Sequence, residues 1–196
     1  MRSGIVKKKL HSLLLTLLVL VIAACAGKSR TIGTFIEDKA ITLKAKRVIN
    51  TNKKTYQGSA IKVLSYNEVL LLTGTASTEN ARLKILKDTM LIPKIRQIHN
   101  EITVSRKPSF FSALGDKYLA VKVRIRLLAG ASIKSSEIKI VCSGGTVYLM
   151  GIVNDAEKEL VSSMIRKTTG VNRVITIFES KSVDAQKDKP TSQSLD

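Results

Sequence analysis

From residue 38 onward the alternation of apolar and polar positions changes period in the same order twice, the second pass displaced by 77 or 78 residues. The first pass predicts a helix near 38–52, strands near 60–65 and 69–75, a helix near 78–90 and a strand near 95–104. The second predicts a helix near 116–130, strands near 136–142 and 146–153, a helix near 154–168 and a strand near 171–179. Both passes read α-β-β-α-β. The expected class is therefore α+β: two tandem modules, each a small mixed three-stranded sheet packed against two helices.

The turns fit that order. Tyr66-Asn67-Glu68 separates the first pair of strands and Ser143-Gly144-Gly145 the second, and the two glycines supply positive backbone angles at least cost. Gly74 and Gly151 fall at matching places inside strands, where glycine implies a bulge or a close approach by another element, so both read as structural. Residues 105–115, with Pro108 and Gly115, read as a linker. Phe110-Phe111 within it is expected to pack between the modules, with an exposed membrane contact as the alternative. Residues 180–196 are polar and read as a disordered tail.

Ahead of the repeat, Arg2, Lys7, Lys8 and Lys9 precede the apolar run from Leu13 to Val21, and Ala23-Ala24 then leads into Cys25. This is the layout of a secretory signal over residues 1–24, too short to be a stable membrane span. Ile22-Ala23-Ala24-Cys25 resembles a bacterial lipobox. That resemblance implies diacylglyceryl and palmitate-type acylation of Cys25, with residues 25–37 as a lipidated tether. Three acyl chains, at about 0.8 kcal/mol per buried methylene, make an effectively permanent anchor. Ala26 stands where lipoproteins kept in the inner membrane commonly carry aspartate, so the expected location is the periplasmic face of the outer membrane.

Composition changes meaning once the signal is removed. The 196-residue chain has 33 Lys+Arg against 15 Asp+Glu, a net charge of +18. Four basic and no acidic residues leave with the signal, so the mature chain carries +14. An exported protein does not meet the genome, so nucleic acid drops out as a partner and anionic lipid becomes the abundant counter-charge.

The two α-β-β-α-β units, the strand-Gly-helix step at Gly74 and Gly151, and the closing Gly170-Val171-Asn172-Arg173-Val174 resemble BON domains. The likeness is strongest in the second copy, at Lys122-Val123-Arg124, Ser135-Ser136 and Val147-Tyr148-Leu149-Met150-Gly151. The first copy departs more, with Pro93 where the second has Thr169-Gly170. Two such domains, at residues 38–104 and 116–179, behind a lipobox resemble the dual-BON outer-membrane lipoproteins associated with division and outer-membrane stress. That family implies phospholipid binding and maintenance of the outer-membrane barrier.

The repeat also serves as an internal control on where binding resides. At 100° per residue, Leu119, Val123 and Leu127 share one face of the helix near 116–130, while Tyr118, Val121, Ile125 and Leu128 share nearly the opposite one. A two-layer module buries only one face. Lys122 and Arg126 border the surplus stripe on one side, Lys117 and Arg124 on the other. Apolar tips with cationic flanks suit insertion among anionic headgroups, so Tyr118, Val121, Lys122, Arg124, Ile125, Arg126 and Leu128 are the expected phospholipid-binding residues. The first copy has Ala40, Leu43, Arg47 and Asn50 at the equivalent positions and largely lacks the stripe, although its span carries +7 against +4. Two other uses of the stripe stay open: packing on the first module, or holding an envelope protein partner in a periplasmic adaptor for assembly or cell-wall remodelling.

Catalytic chemistry finds little support. His11 leaves with the signal and His99 stands alone, so no catalytic residue, metal site or cofactor is expected. Cys142 reads as a buried strand residue, and Asp155, Glu157 and Glu159 as helix-start carboxylates.

Overall fold

The computed structural model describes residues 31–52, 54–106, 108–130 and 135–180. The expected acylation site Cys25, the expected export signal and the expected tail beyond Ser180 lie outside the described residues. The element order is α1 (Ile32–Thr51), β1 (Ala60–Tyr66), β2 (Val69–Ala76), α2 (Glu79–Met90), β3 (Gln97–Val104), α3 (Phe110–Ala129), a 3-10 turn (Ser135–Glu137), β4 (Lys139–Ser143), β5 (Thr146–Val153), α4 (Asp155–Arg166) and β6 (Arg173–Ser180). It is α+β, two α-β-β-α-β modules in tandem.

Each sheet places its second strand in the centre: β1 runs antiparallel to β2 and β3 parallel to it, and β4, β5 and β6 repeat the order. The parallel pairing requires a crossover, and α2 and α4 supply it. Both crossover helices start on a side-chain cap. Thr78 accepts from the Ala81 amide, and Asn154 forms a reciprocal capping box with Glu157.

One face of each sheet is covered by its own helices. In the first module Ile41 and Ala45 of α1 and Ala81 and Ile85 of α2 bury Leu70, Leu72 and Ile102. Leu119, Val123 and Leu127 of α3 play the same part with Val161 and Ile165 of α4 over Val147 and Leu149. The other faces of the two sheets meet each other. Tyr66, Val69 and Leu71 of one pack against Tyr148, Met150 and Ile177 of the other, all nearly buried. The run Val69-Leu70-Leu71-Leu72 carries the signal for this, because a strand apolar at every position is buried on both faces. The result is a four-layer sandwich: helices, sheet, sheet, helices.

Ion pairs edge this inter-sheet core and orient it. Lys62 reaches the Asp116 carboxylate at 2.9 Å and donates to the Cys142 carbonyl at 2.6 Å. Arg96 meets Glu179 at 2.5 Å, and the Asn67 amide also donates to Glu179. Arg173 lies 3.8 Å from Glu101. The first hairpin turn thus sits by the end of β6, while the second sits by the middle of β1 and β3, so the two hairpins point in opposite directions.

The Thr73 and Thr75 hydroxyls are buried without a hydrogen-bond partner among the described residues. A buried orphan hydroxyl loses its hydration for nothing, so Thr73→Val, nearly the same shape, is expected to raise unfolding free energy by about 1 kcal/mol in urea titration. A loss of stability would mean that the hydroxyl has a partner.

Several boundaries differ from the sequence expectation, each for a physical reason. Helix α1 begins at Ile32, so residues 32–37 of the expected tether are helical. Gly33 and Thr34 lower local propensity, but extending a helix that is already packed is far easier than starting one. Helix α3 likewise begins inside the expected linker, where the Ser109 hydroxyl caps the Ser112 amide. Phe110 and Phe111 therefore do not pack between the modules; they stand on the first turn of α3, about 80% exposed. The first strand of the second sheet is Lys139–Ser143, because Ser135–Glu137 closes into a 3-10 turn first. Gly74 takes φ +110° and runs tight against the Ala60 carbonyl, whereas Gly151 has ordinary angles and makes room for the Glu137 carbonyl.

Candidate membrane-facing helix

With Leu119, Val123 and Leu127 committed to the core, the opposite face of α3 is left outward. Tyr118, Val121, Ile125 and Leu128 are 55–67% exposed. The first module does not cover them, since the modules meet through their sheets. The helix also lengthens the stripe beyond the expected four residues. Phe111 and Leu114 join it, giving a 3-4-3-4-3 spacing from Phe111 to Leu128, with Phe110 beside them. Those residues were hidden in the sequence because the linker reading started the helix pattern too late. The Pro108-Ser109 start signal, a cap residue after a proline, was the available clue.

Cations border the stripe. Lys117, Arg124 and Arg126 are exposed, while Lys122 is held more closely. Its ammonium lies 5.6 Å from the Tyr118 ring centroid and donates to the Thr169 carbonyl at 2.6 Å, tying α3 to the loop before β6. Beside it runs a cleft of about 370 Å³, lined by Ser112, Tyr118, Lys122, Gly145, Thr169 and Gly170. The one acidic group at this end of α3, Asp116, is buried and engaged with Lys62.

Asp116 and its counterpart Asp38 were missed in the sequence, though both fall 78 residues apart on the repeat. Asp38 accepts from the Ser65 hydroxyl at 2.7 Å and from the amides of Asn67 and Glu68 at 2.8 Å each. Those two turn residues have φ of 51° and 62°, a conformation that disfavours Glu in particular. Asp116 reaches the Gly145 amide at only 3.4 Å, and the second turn, Gly144-Gly145, adopts the same left-handed angles without strain. Each first helix is thus pinned to its own hairpin, which fixes the face that it turns outward.

The remaining ionisable groups hold structure. The Tyr56 hydroxyl donates to Asp88 at 2.5 Å, tying the segment after α1 to α2. That bond, together with Lys84, lowers the Asp88 carboxyl below its ordinary range. His99 stands half-buried in β3, and no group of three His, Cys, Asp or Glu among the described residues is placed to hold a metal. Cys142 is buried in β4, and burial, reinforced by Asp116 and opposed by Lys62, pushes its thiol up to about 11. The thiolate is scarce at neutral pH, so alkylation by iodoacetamide at pH 8 is expected to be at least tenfold slower in the native protein than in guanidinium. Equal rates would place the thiol at the surface.

No helix among the described residues is long and apolar enough to cross a membrane. Comparison with known proteins matches the BON domain twice, at residues 37–106 and 115–179. The outer membrane lipoprotein DolP of Haemophilus influenzae is 25% identical over 159 residues, covering 81% of this chain and 82% of that protein. The 21 kDa hemolysin of Actinobacillus pleuropneumoniae is 25% identical over 149 residues, 76% of this chain and 77% of that one. An uncharacterized protein encoded in the gshII 5' region of Anaplasma centrale is 32% identical over 152 residues, 74% of this chain and 96% of that one.

Proposed function

The chain belongs to the BON-domain family as an outer-membrane lipoprotein with two such domains, and from that premise we propose that α3 of the second domain lies in the headgroup layer of an anionic membrane. Acylation at Cys25 holds the protein in the outer membrane, and α3 binds phospholipid in support of envelope integrity. The protein acts by binding and not by catalysis.

The observation that carries this reading is the outward stripe on α3. A helix whose core face is already buried has no structural use for six exposed apolar side chains at regular spacing. Laid in an interface, those tips leave water while Lys117, Arg124 and Arg126 meet phosphates, at about 1 kcal/mol per basic residue near an anionic surface. The adjoining cleft, apolar at Leu119 and Tyr118 and open to the Lys122 ammonium, has room for part of a glycerophosphate headgroup. The same 3-4-3-4-3 spacing also suits a partner helix, which is the observation favouring a protein-binding adaptor.

Flotation of the unacylated mature protein decides between them. It is expected to rise with phosphatidylglycerol vesicles and not with phosphatidylcholine vesicles. Charge reversal at Arg124 and Arg126 is expected to weaken binding more than tenfold. Lys122 is left intact because of its Thr169 bond. A protein that stays behind with both vesicles sinks the lipid reading and leaves the adaptor.

A further inference from the structure

The first module carries an apolar cluster that its core does not use. Ile32, Phe35 and Ile36 are exposed on the opening two turns of α1, and Leu43 follows two turns later. Ile41 and Ala45 on the other face fill the core. The Lys39 ammonium sits 5.4 Å from the Phe35 ring centroid, and Lys28 and Arg30 precede the helix in sequence. The BON match begins only at residue 37, so Ile32, Phe35 and Ile36 extend the module without belonging to its repeat.

Two lengths say what covers this cluster. Ile32 follows Cys25 by seven residues, and a chain of that length spans at most about 25 Å. The sandwich, however, sets α1 and α3 on its two opposite outer faces, and four layers of about 10 Å each separate those faces by roughly 40 Å. The hairpins pinned by Asp38 and Asp116 also point in opposite directions, which sets the opening turns of α1 and α3 at opposite ends. A leaflet that holds an acylated Cys25 is therefore within reach of the start of α1 and out of reach of the outer face of α3.

From these lengths we infer that Ile32, Phe35 and Ile36 form a second membrane contact, seated in the bilayer that carries the lipid anchor. The acyl chains bring this end of α1 to the surface, where the three side chains enter the acyl boundary and Lys39 stays with the phosphates. The outer face of α3 is then turned away from the anchoring leaflet and is free for anionic lipid that does not belong to it. The inference rests on acylation of Cys25 and does not require α3 to bind lipid.

The chain has no tryptophan, so a single introduced indole reports cleanly. Phe35→Trp and Tyr118→Trp are compared in the acylated protein, one copy per nanodisc of phosphatidylethanolamine and phosphatidylglycerol with brominated acyl chains. Phe35→Trp is expected to shift to the blue and lose more than half its emission, while Tyr118→Trp keeps its aqueous spectrum. Quenching of Tyr118→Trp, alone or together with Phe35→Trp, overturns the inference, and so does quenching of neither. A companion measurement uses the mature chain with Cys25→Ser and brominated phosphatidylglycerol vesicles. Absence of quenching of Tyr118→Trp there removes the α3 reading and leaves the α1 contact standing.

Discussion

Replacing Val121 and Ile125 together by aspartate is expected to weaken binding of the unacylated protein to phosphatidylglycerol vesicles by about a hundredfold, with little change in thermal unfolding. Both side chains are more than half exposed in the folded protein, so the fold loses little when they change. In the interface each would otherwise remove much of its surface from water, contributing on the order of 1–1.5 kcal/mol, and each new carboxylate adds repulsion from anionic headgroups. About 2.7 kcal/mol is a hundredfold in affinity. Salt separates the two contributions. The parent protein should retain part of its binding above physiological ionic strength, because apolar insertion is not screened, whereas binding by charge alone would vanish. Leu119→Asp, on the opposite face of the same helix and almost fully buried, is expected instead to unfold the second module. Unaltered vesicle affinity in the Val121/Ile125 double variant would exclude the stripe as the lipid contact.

The second large effect concerns the pin that sets helix orientation. Asp38→Ala is expected to cost about 3 kcal/mol of unfolding free energy and to lower the melting temperature by roughly 10 °C. Its carboxylate receives three hydrogen bonds at 2.7–2.8 Å in a buried site, and two of them hold the amides of turn residues in left-handed conformation. Without them the Ser65 hydroxyl and the two amides must find other partners, and Glu68 no longer has compensation for its backbone strain. Glu68→Gly in the Asp38→Ala background should therefore recover about 1 kcal/mol, a rescue that simple loss of packing would not show. Asp116→Ala acts differently. Its turn is Gly-Gly and needs no such help, so the cost comes from leaving Lys62 without its carboxylate beside the inter-sheet core. Calorimetry of the Asp38 variant within 1 kcal/mol of the parent would rule out the pin.

Asp38 and Asp116 fix each first helix against its own hairpin, and that in turn decides which residues face outward. On α3 the outward residues are apolar along the whole helix. On α1 they are apolar only over the opening turns and at Leu43, since Arg47 and Asn50 take the later places. One fold repeated twice thus presents two different surfaces.

Much of the second module was legible in its residues. Period 3.6 against period 2 located its helices and strands, and the split of α3 into a Leu119–Val123–Leu127 face and a Tyr118–Val121–Ile125–Leu128 face required no coordinates. Element starts were harder to read. Ile32–Ile36 and Phe110–Leu114 look like tether and linker locally, and become helix only because a packed helix extends into them. The aspartates escaped notice because a single buried acid leaves no periodic trace; only the offset of 78 between them marks the pair.

The amino-acid sequence by itself determined the two α-β-β-α-β repeats and the two-faced character of α3, because these depend on order and spacing along a chain. Tertiary structure alone decided that the modules join sheet to sheet through Tyr66, Leu71, Tyr148 and Met150, with their helices on opposite sides. The physical reason is that a strand apolar on both faces states that it will be buried twice and does not say against what. That choice rests on the fit of two surfaces far apart in sequence, and it sets where the exposed ends of α1 and α3 point.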